Sequence, residues 1–228
     1  REKERYVLDN KNPEIVFTQG YSATNTFYDQ MSYFCICTFG GSEDLISLYN
    51  RFEEQQIKDL RLDAFFEVIG DEQYKMSKVG EKVYDCFVIR SAELYLNKAE
   101  AEAMLDKAEA IQTIKTLLNN RFEGGIPDID GLSGKDLVSF IRDERRRELC
   151  FEAHRWFDLR RYAVSPKYPE KKSIRHTAYD IKGKLEGDYV LKPYGEDPAW
   201  VLPIPGYEIV YNQGNLVDNP QRVERELE

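Results

Sequence analysis

The sequence predicts a mainly α chain: a helical-repeat scaffold with long irregular loops and a few short strands. Three observations lead there. Apolar residues recur every three or four positions through 87–122. An arginine-rich segment with a helix-start signal at Ser133 runs on to about Tyr162. Beyond Pro166 the chain turns to Lys, Gly, Tyr and Pro, a composition of loops.

Residues 1–86 read as a segment rich in loops and strands. Glu14-Ile-Val-Phe-Thr after Pro13 is a short strand. Gly20 to Phe39, GYSATNTFYDQMSYFCICTF, sets six aromatics among small polar residues and closes on Gly40-Gly41. Ser42, followed by Glu43 and Asp44, is an N-cap with acids in the first turn. LISLYNRFEEQQ continues that helix, and Leu62–Ile69 reads as a strand.

Residues 87–162 form the helical scaffold. Ile89, Ala92, Leu96, Ala99 and Ala103 share one stripe; Ala108, Ile111, Ile114, Leu118 and Phe122 share a second. Asp106-Lys107 separates them, and Ala101 and Ala108 add small residues for close packing. Two short antiparallel helices with Ala at the contact make a helical-repeat hairpin. One hairpin cannot bury its own face, so neighbours are expected. Gly124-Gly125-Ile-Pro127 ends the pair, and Ser133 with Asp136 fits a capping box. A single helix then runs to about Tyr162. In residues 163–228, 163–199 read as long loops, WVLPIPGYEIVYN at 200–212 as a compact Pro-bounded segment, and VERELE as a solvated tail.

The stretch IRDERRRELCFEAHRWFDLRRY, 141–162, holds seven arginines and five acids. On a helix Leu149, Ala153 and Trp156 form a buried stripe flanked by Cys150 and Phe157. Asp143 meets Arg147, Glu152 meets Arg155, and Asp158 meets Arg161 at helical spacing. Exposed pairs of this kind contribute about 0.2–0.5 kcal/mol each; partly buried arginine–carboxylate forks hold more firmly. The stretch is a packed helix with a charge lattice, not a basic surface.

The totals exclude several functions. A chain of 228 residues makes one large domain or two small ones and holds a core without staples. Lys+Arg 32 against Asp+Glu 41 gives a net charge of −9, which disfavours nucleic acid as a partner. The four cysteines form no C-x-x-C, and Cys35 and Cys37 would point to opposite faces of an extended chain, so free or structural thiols are expected in place of zinc ligands. No apolar run reaches 18 residues. The first residue is Arg and REKERY is no signal segment, so the chain reads as a fragment or processed product with any targeting or lipid signal upstream. Only two histidines occur, His154 and His176, with no G-x-S-x-G, phosphate loop or H-E-x-x-H. His154, in the scaffold helix beside Glu152 and Arg155, is read as solvated or structural. Paired carboxylates discriminate nothing among 41 acids. Asp128-Ile-Asp130 is an Asp-rich turn rather than a calcium loop. No catalytic residue, metal site or cofactor is assigned.

Three ordered motifs nevertheless carry a resemblance. ERRREL-CFEAHRWFDLRRY resembles the C-terminal signature of the SusD/RagB family of outer-membrane nutrient-binding lipoproteins, an ER-x-x-EL-x-FE-x-x-R-x-FDL-R-R pattern. It matches at Glu144, Arg145, Glu148, Leu149, Phe151, Glu152, Arg155, Phe157, Asp158, Leu159 and Arg161. VIRSAELYLNKAEA resembles the family's R-x-x-E helix through Arg90, Glu93, Leu96, Ala99, Glu100 and Ala101. PIPGYEIVYNQGNLVDNP resembles its closing segment through Pro203, Ile204, Pro205, Glu208, Ile209, Asn212, Leu216, Asn219 and Pro220, departing at Asp218 where Gln is usual. Asp59 and Arg61 match a D-x-R element. The resemblance covers residues 13–220.

The resemblance implies a TPR-like scaffold and a protein that is not an enzyme. It implies capture of glycans, or of peptides and other nutrients, for a SusC-like TonB-dependent outer-membrane transporter. The place implied is the extracellular face of the outer membrane, with membrane contact only through an N-terminal lipid upstream of this chain, which looks like the C-terminal part alone. The signature residues are expected to be structural. Sugar binding needs flat rings for C–H faces and polar groups for hydroxyls. The Gly20–Phe39 stretch offers Tyr21, Asn25, Phe27, Tyr28, Asp29, Gln30 and Tyr33 on a loop, where binding residues usually sit; the competing reading makes these aromatics core-facing strand residues. Tyr168, Tyr179, Tyr189 and Tyr194 are second-tier candidates, suited also to contacting the transporter. Trp156 and Trp200 are expected in the core. The rival from another class is a cytosolic helical-repeat protein-interaction scaffold; residues 87–122 alone would fit it, the long C-terminal loops and the PIP segment do not.

Overall fold

Alternating short apolar and polar runs give this chain small hairpins between helices. The structure, a computed structural model, describes residues 7–8, 12–20, 40–69, 73–78, 85–180, 182, 184–222 and 227. It divides into two compact units, Arg1–Arg155 and Trp156–Glu228. Among the described residues every sheet has only two strands, and helices carry most of the regular structure, as the apolar spacing predicts.

In the first unit β1 (Ile15–Gly20) pairs antiparallel with β5 (Asp85–Arg90), β2 (Lys58–Asp59) with β6 (Phe122–Glu123), and β3 (Phe66–Ile69) with β4 (Gln73–Met76). The helices are α1 (Glu43–Tyr49), α2 (Leu60–Phe65), α3 (Ser91–Met104), α4 (Glu109–Leu118) and α5 (Gly134–Glu148). Isolated two-stranded ribbons are marginal in water, so packing must hold them. Leu45, Ile46, Tyr49, Phe65, Phe66 and Cys150 form one buried cluster, with Tyr49 edge-on to Phe66 at 5.7 Å between ring centres.

The α3–α4 hairpin follows the predicted pattern in its centre. Ala92, Leu96, Ala99 and Ala103 are buried, and Asp106 takes a left-handed backbone (φ 53°) that separates the helices. Thr113 donates to Glu102 across the hairpin at 2.6 Å. The edges of both stripes differ from expectation. Ile89 lies exposed in β5, and Ala101 and Ala108 are exposed. In α4 the buried face is Ala110, Thr113, Ile114, Leu117 and Leu118. The stripe starts at Ala110 because the helix itself starts only at Glu109.

Other local readings are corrected by hydrogen bonding. Ser42 does precede α1, but its hydroxyl donates to Asp44 at 2.6 Å rather than capping a backbone N–H. The helix then tightens into a 3-10 turn, Asn50–Gln55, ended by left-handed Gln56. Ser133 likewise starts α5 without a side-chain cap. Leu62–Ile69 is not one strand: its first half belongs to α2, because Asp59 accepts the Arg61 N–H at 3.0 Å and caps a helix there. The long helix to Tyr162 is broken. α5 stops at Glu148, Phe151 and Ala153 adopt φ of 60° and 63°, and α6 (Arg155–Ala163) begins afresh. Ala153 and Phe157, expected on the buried stripe, are exposed.

The second unit contains most of α6, an antiparallel hairpin of β7 (Ile174–Tyr179) and β8 (Leu185–Leu191), a 3-10 turn at Pro198–Trp200, and α7 (Gly206–Tyr211). The hairpin lies where loops were expected. Asp180 sets its turn by accepting the N–H groups of Lys182 and Lys184, each at 2.8 Å. Trp200 is 1% exposed, donates to the Lys192 carbonyl at 2.7 Å, and lies 4.4 Å from the half-buried Trp156 ring. Among the described residues, no helix is long and apolar enough to cross a membrane.

Candidate functional site

Helical spacing places Glu144 and Glu148 one turn apart on one face of α5. Both point inward. Glu148 receives Arg61 at 2.9 Å, Arg90 at 2.6 Å, and Arg121 at 3.0 and 3.1 Å. Glu144 receives Arg147 Nε at 3.0 Å and is also clasped by Arg61. Arg61 completes its fork on Asp59 at 2.8 and 2.7 Å. Arg121 reaches on to Glu14 at 2.9 Å. The planar guanidinium suits such forks, since its donors match carboxylate oxygens two at a time.

The helix break belongs to this cluster. Ending α5 leaves carbonyl groups without intrahelical partners, at the negative end of its dipole. Lys78, fully buried, donates to the carbonyls of Glu148 at 2.9 Å and Cys150 at 3.0 Å, and to the Glu152 carboxylate. Arg90 donates to the Glu148 carbonyl at 2.6 Å and to Glu152 at 2.8 and 2.9 Å. Cations from β5 and from the residues after β4 thus cap the helix. The bend turns Glu152 to Arg90 and Lys78, not to Arg155 as helical spacing suggested. Asp143 pairs with Arg51 at 3.3 Å instead of Arg147, whereas Asp158 and Arg161 pair as expected at 2.8 Å. Lys78 escaped the sequence reading: it sits in no motif, and a lysine after a polar strand ordinarily signals surface.

Electrostatics make the cluster a structural clamp. Burial alone would raise the Glu148 carboxyl, but Arg90, Arg61 and Arg121 outweigh it and hold it well below the ordinary glutamate value. Arg61 and Arg147 hold Glu144 down against its burial in the same way, as Lys78 and Arg90 do Glu152. Such carboxylates stay ionised near neutrality and have no proton to donate, the opposite of a tuned general acid. Burial pushes the Cys150 thiol up, so it is a poor nucleophile. His154 lies 3.4 Å from Arg145 and 3.8 Å from Glu93, in keeping with a structural histidine. At the Asp-rich turn, Asp128 accepts the Asp130 N–H at 3.1 Å, and Lys115 occupies both Asp130 oxygens at 2.6 and 2.7 Å.

The candidate ligand residues Tyr21, Asn25, Phe27, Tyr28, Asp29 and Tyr33, with Gln30, lie outside the described residues. The second-tier tyrosines are described. Tyr194 packs edge-on to Trp200 at 5.9 Å beneath the Arg160 guanidinium, 5.1 Å from its ring centre. Lys167 lies 5.2 Å over the Tyr168 ring. Tyr179 and Tyr189 are exposed on the β7–β8 hairpin. Beside Tyr189 an open depression of about 190 Å³ is lined by Ile174, His176, Tyr189, Val190, Leu191 and Ala199.

Known proteins supply the wider comparison. A sequence model of the SusD family matches residues 60–221. A SusD-like protein of Formosa agariphila is 34% identical over 113 residues, covering 46% of this chain and 21% of the relative. A second SusD-like protein of the same organism is 27% identical over 147 residues, covering 58% of this chain and 25% of the relative. The matched part is therefore a quarter or less of each relative's length. The structure of a SusD-like carbohydrate binding protein from Bacteroides vulgatus superposes with a TM-score of 0.57 at 19% identity, over 92% of this chain and 49% of that one. That likeness shows a shared fold.

Proposed function

The chain belongs to the SusD family, and from that premise we propose that it works in non-catalytic capture of glycans, or of other nutrients, at the cell surface for a SusC-like TonB-dependent transporter. The reading places it on the extracellular face of the outer membrane, held by a lipid on the full-length protein. The observation that carries it is the fate of the signature: Glu144, Glu148 and Glu152 are spent on internal ion pairs and leave no proton-donating carboxylate among them. A scaffold of this kind supports binding loops. That the Bacteroides vulgatus protein sharing the fold is a carbohydrate binding protein favours glycans among nutrients. On this reading Tyr21, Phe27, Tyr28 and Tyr33 offer stacking faces, and Asn25 and Asp29 offer hydroxyl partners.

Native affinity electrophoresis of the full-length protein against soluble starch, xylan, laminarin, pectin and alginate tests the proposal. Retardation by at least one glycan is expected, with loss in the alanine variants of Tyr21, Phe27, Tyr28 and Tyr33. Normal retardation of all four variants would move the site elsewhere. No retardation by any glycan would overturn the carbohydrate reading. Co-purification with a TonB-dependent transporter checks the delivery step.

A further inference from the structure

One face of the β7–β8 hairpin has the make-up of a small ligand seat, and, resting on the glycan-binding role proposed above, we infer that it takes one neutral sugar ring stacked on Tyr189. The register sets His176 opposite Tyr189, Ile174 opposite Leu191, and Ala178 opposite Gly187. Period-two alternation puts these six on one face of the ribbon. Tyr189 is 39% exposed and His176 is exposed as well. The adjoining depression of about 190 Å³ is smaller than the about 300–1,000 Å³ pockets of drug-sized ligands; it suits a single ring.

Its chemistry selects the class of ring. Ile174, Leu191 and Ala199 supply apolar walls. The imidazole of His176 and the hydroxyl of Tyr189 supply polar edges that both donate and accept. A pyranose has this same division, with an apolar C–H face and a hydroxyl rim, and Tyr presents a flat face with a polar tip. No Lys or Arg lines the depression. Arg175 is on the opposite face, engaged by Asp188, which also accepts from Thr177 at 2.7 Å. The net charge of −9 further opposes an anion. A neutral sugar therefore fits and a uronate or sulfated sugar does not. The seat is also rigid. Asp197 accepts the N–H groups of Ala199 at 2.9 Å and Lys192 at 3.2 Å, and the Trp200 indole ties the same segment to the Lys192 carbonyl. Little ordering is then needed on binding.

The two histidines make the test site-specific, because His176 lines the depression and His154, in the other compact unit, does not and serves as the control. The imidazole C–H protons are followed by NMR while the whole chain is titrated with neutral malto-, xylo- and laminari-oligosaccharides, with oligogalacturonate, and with a proline-rich peptide. Saturable shifts at His176 with at least one neutral oligosaccharide are expected, with His154 unmoved. Tyr189→Ala should weaken that response about tenfold or more, the loss of one stacking face. Tyr189→Phe, which keeps the ring and the hairpin, should retain most of it. A response only to oligogalacturonate or to the peptide would overturn the assignment. A silent His176 in a protein that glycans retard would overturn it while leaving the glycan role standing; silence together with no retardation would end both.

Discussion

Arg90 and Glu148, 58 residues apart in the chain, meet at 2.6 Å with side chains each 1% exposed. Arg90 is the last residue of β5 and directly precedes α3, and Glu148 ends α5. One ion pair thus ties the start of the Ala-rich hairpin to the end of the signature helix. Arg61 and Arg121 converge on the same carboxylate. Burial of any one of these charges alone would be costly, and only their mutual pairing makes the cluster tolerable.

Removing the shared carboxylate takes one buried partner from each of three guanidinium groups. Glu148→Ala should lower the unfolding free energy by about 3–5 kcal/mol, the range for breaking a buried pair. Glu208→Ala, on the fully exposed face of α7, should stay within about 0.5 kcal/mol of the parent. Urea unfolding of both variants decides whether the cluster or general acidity matters.

Stability should fall on acidification in a defined window. Glu144, Glu148 and Glu152 all have folded-state pKa values below the ordinary glutamate value. A depressed folded value means the unfolded chain binds protons first as pH drops. The stabilisation is complete above the unfolded glutamate pKa of about 4.3 and is lost as pH falls below it through the depressed folded values. The urea midpoint should be flat in this respect from pH 7 to 5 and decline from about pH 4.5 downward. Glu148→Gln should show a shallower acid decline.

The left-handed residues at the helix break give a paired test. Ala153 is exposed with φ 63°, a region costly to a residue with a Cβ. Ala153→Gly should raise stability by about 0.5–1 kcal/mol net of the added chain freedom. Phe151→Gly relieves similar strain but loses a ring packed 6.0 Å from Phe66, so it should destabilise. Thermal unfolding of the two variants should move in opposite directions.

Two adjacent glycines differ in what they protect. A Cβ on Gly124 would lie 2.3 Å from the Gln56 carbonyl, whereas one on Gly125 meets nothing within 4 Å. Both have positive φ, 84° and 117°. Gly124→Ala should cost about 2–3 kcal/mol, from overpacking as well as backbone strain, and Gly125→Ala about 1–2 kcal/mol from strain alone. Gly124 directly follows β6, whose Phe122 pairs with Asp59 of β2.

Short-range periodicity and motif spacing carried several features correctly. The Ala92–Ala103 stripe, the break at Asp106, the strand after Pro13 and the family were all legible, because each depends on neighbours within a turn or two or on residues in fixed order. The candidate binding loop was legible only as composition; its residues lie outside the described part of the structure. Where the signature helix ends depends on contacts distant in the chain. Nothing between Leu149 and His154 is a Gly or Pro, so local propensity favoured one continuous helix. The chain bends there because Lys78 and Arg90, 70 and 58 residues before Glu148, take the carbonyl at its end and draw Glu152 in with them. The β7–β8 hairpin was missed for a related reason: its turn is set by Asp180 bonding two backbone N–H groups, a contact that composition does not display. Charges buried in pairs are satisfied by whatever the fold brings to them, and that partner can lie anywhere in the chain.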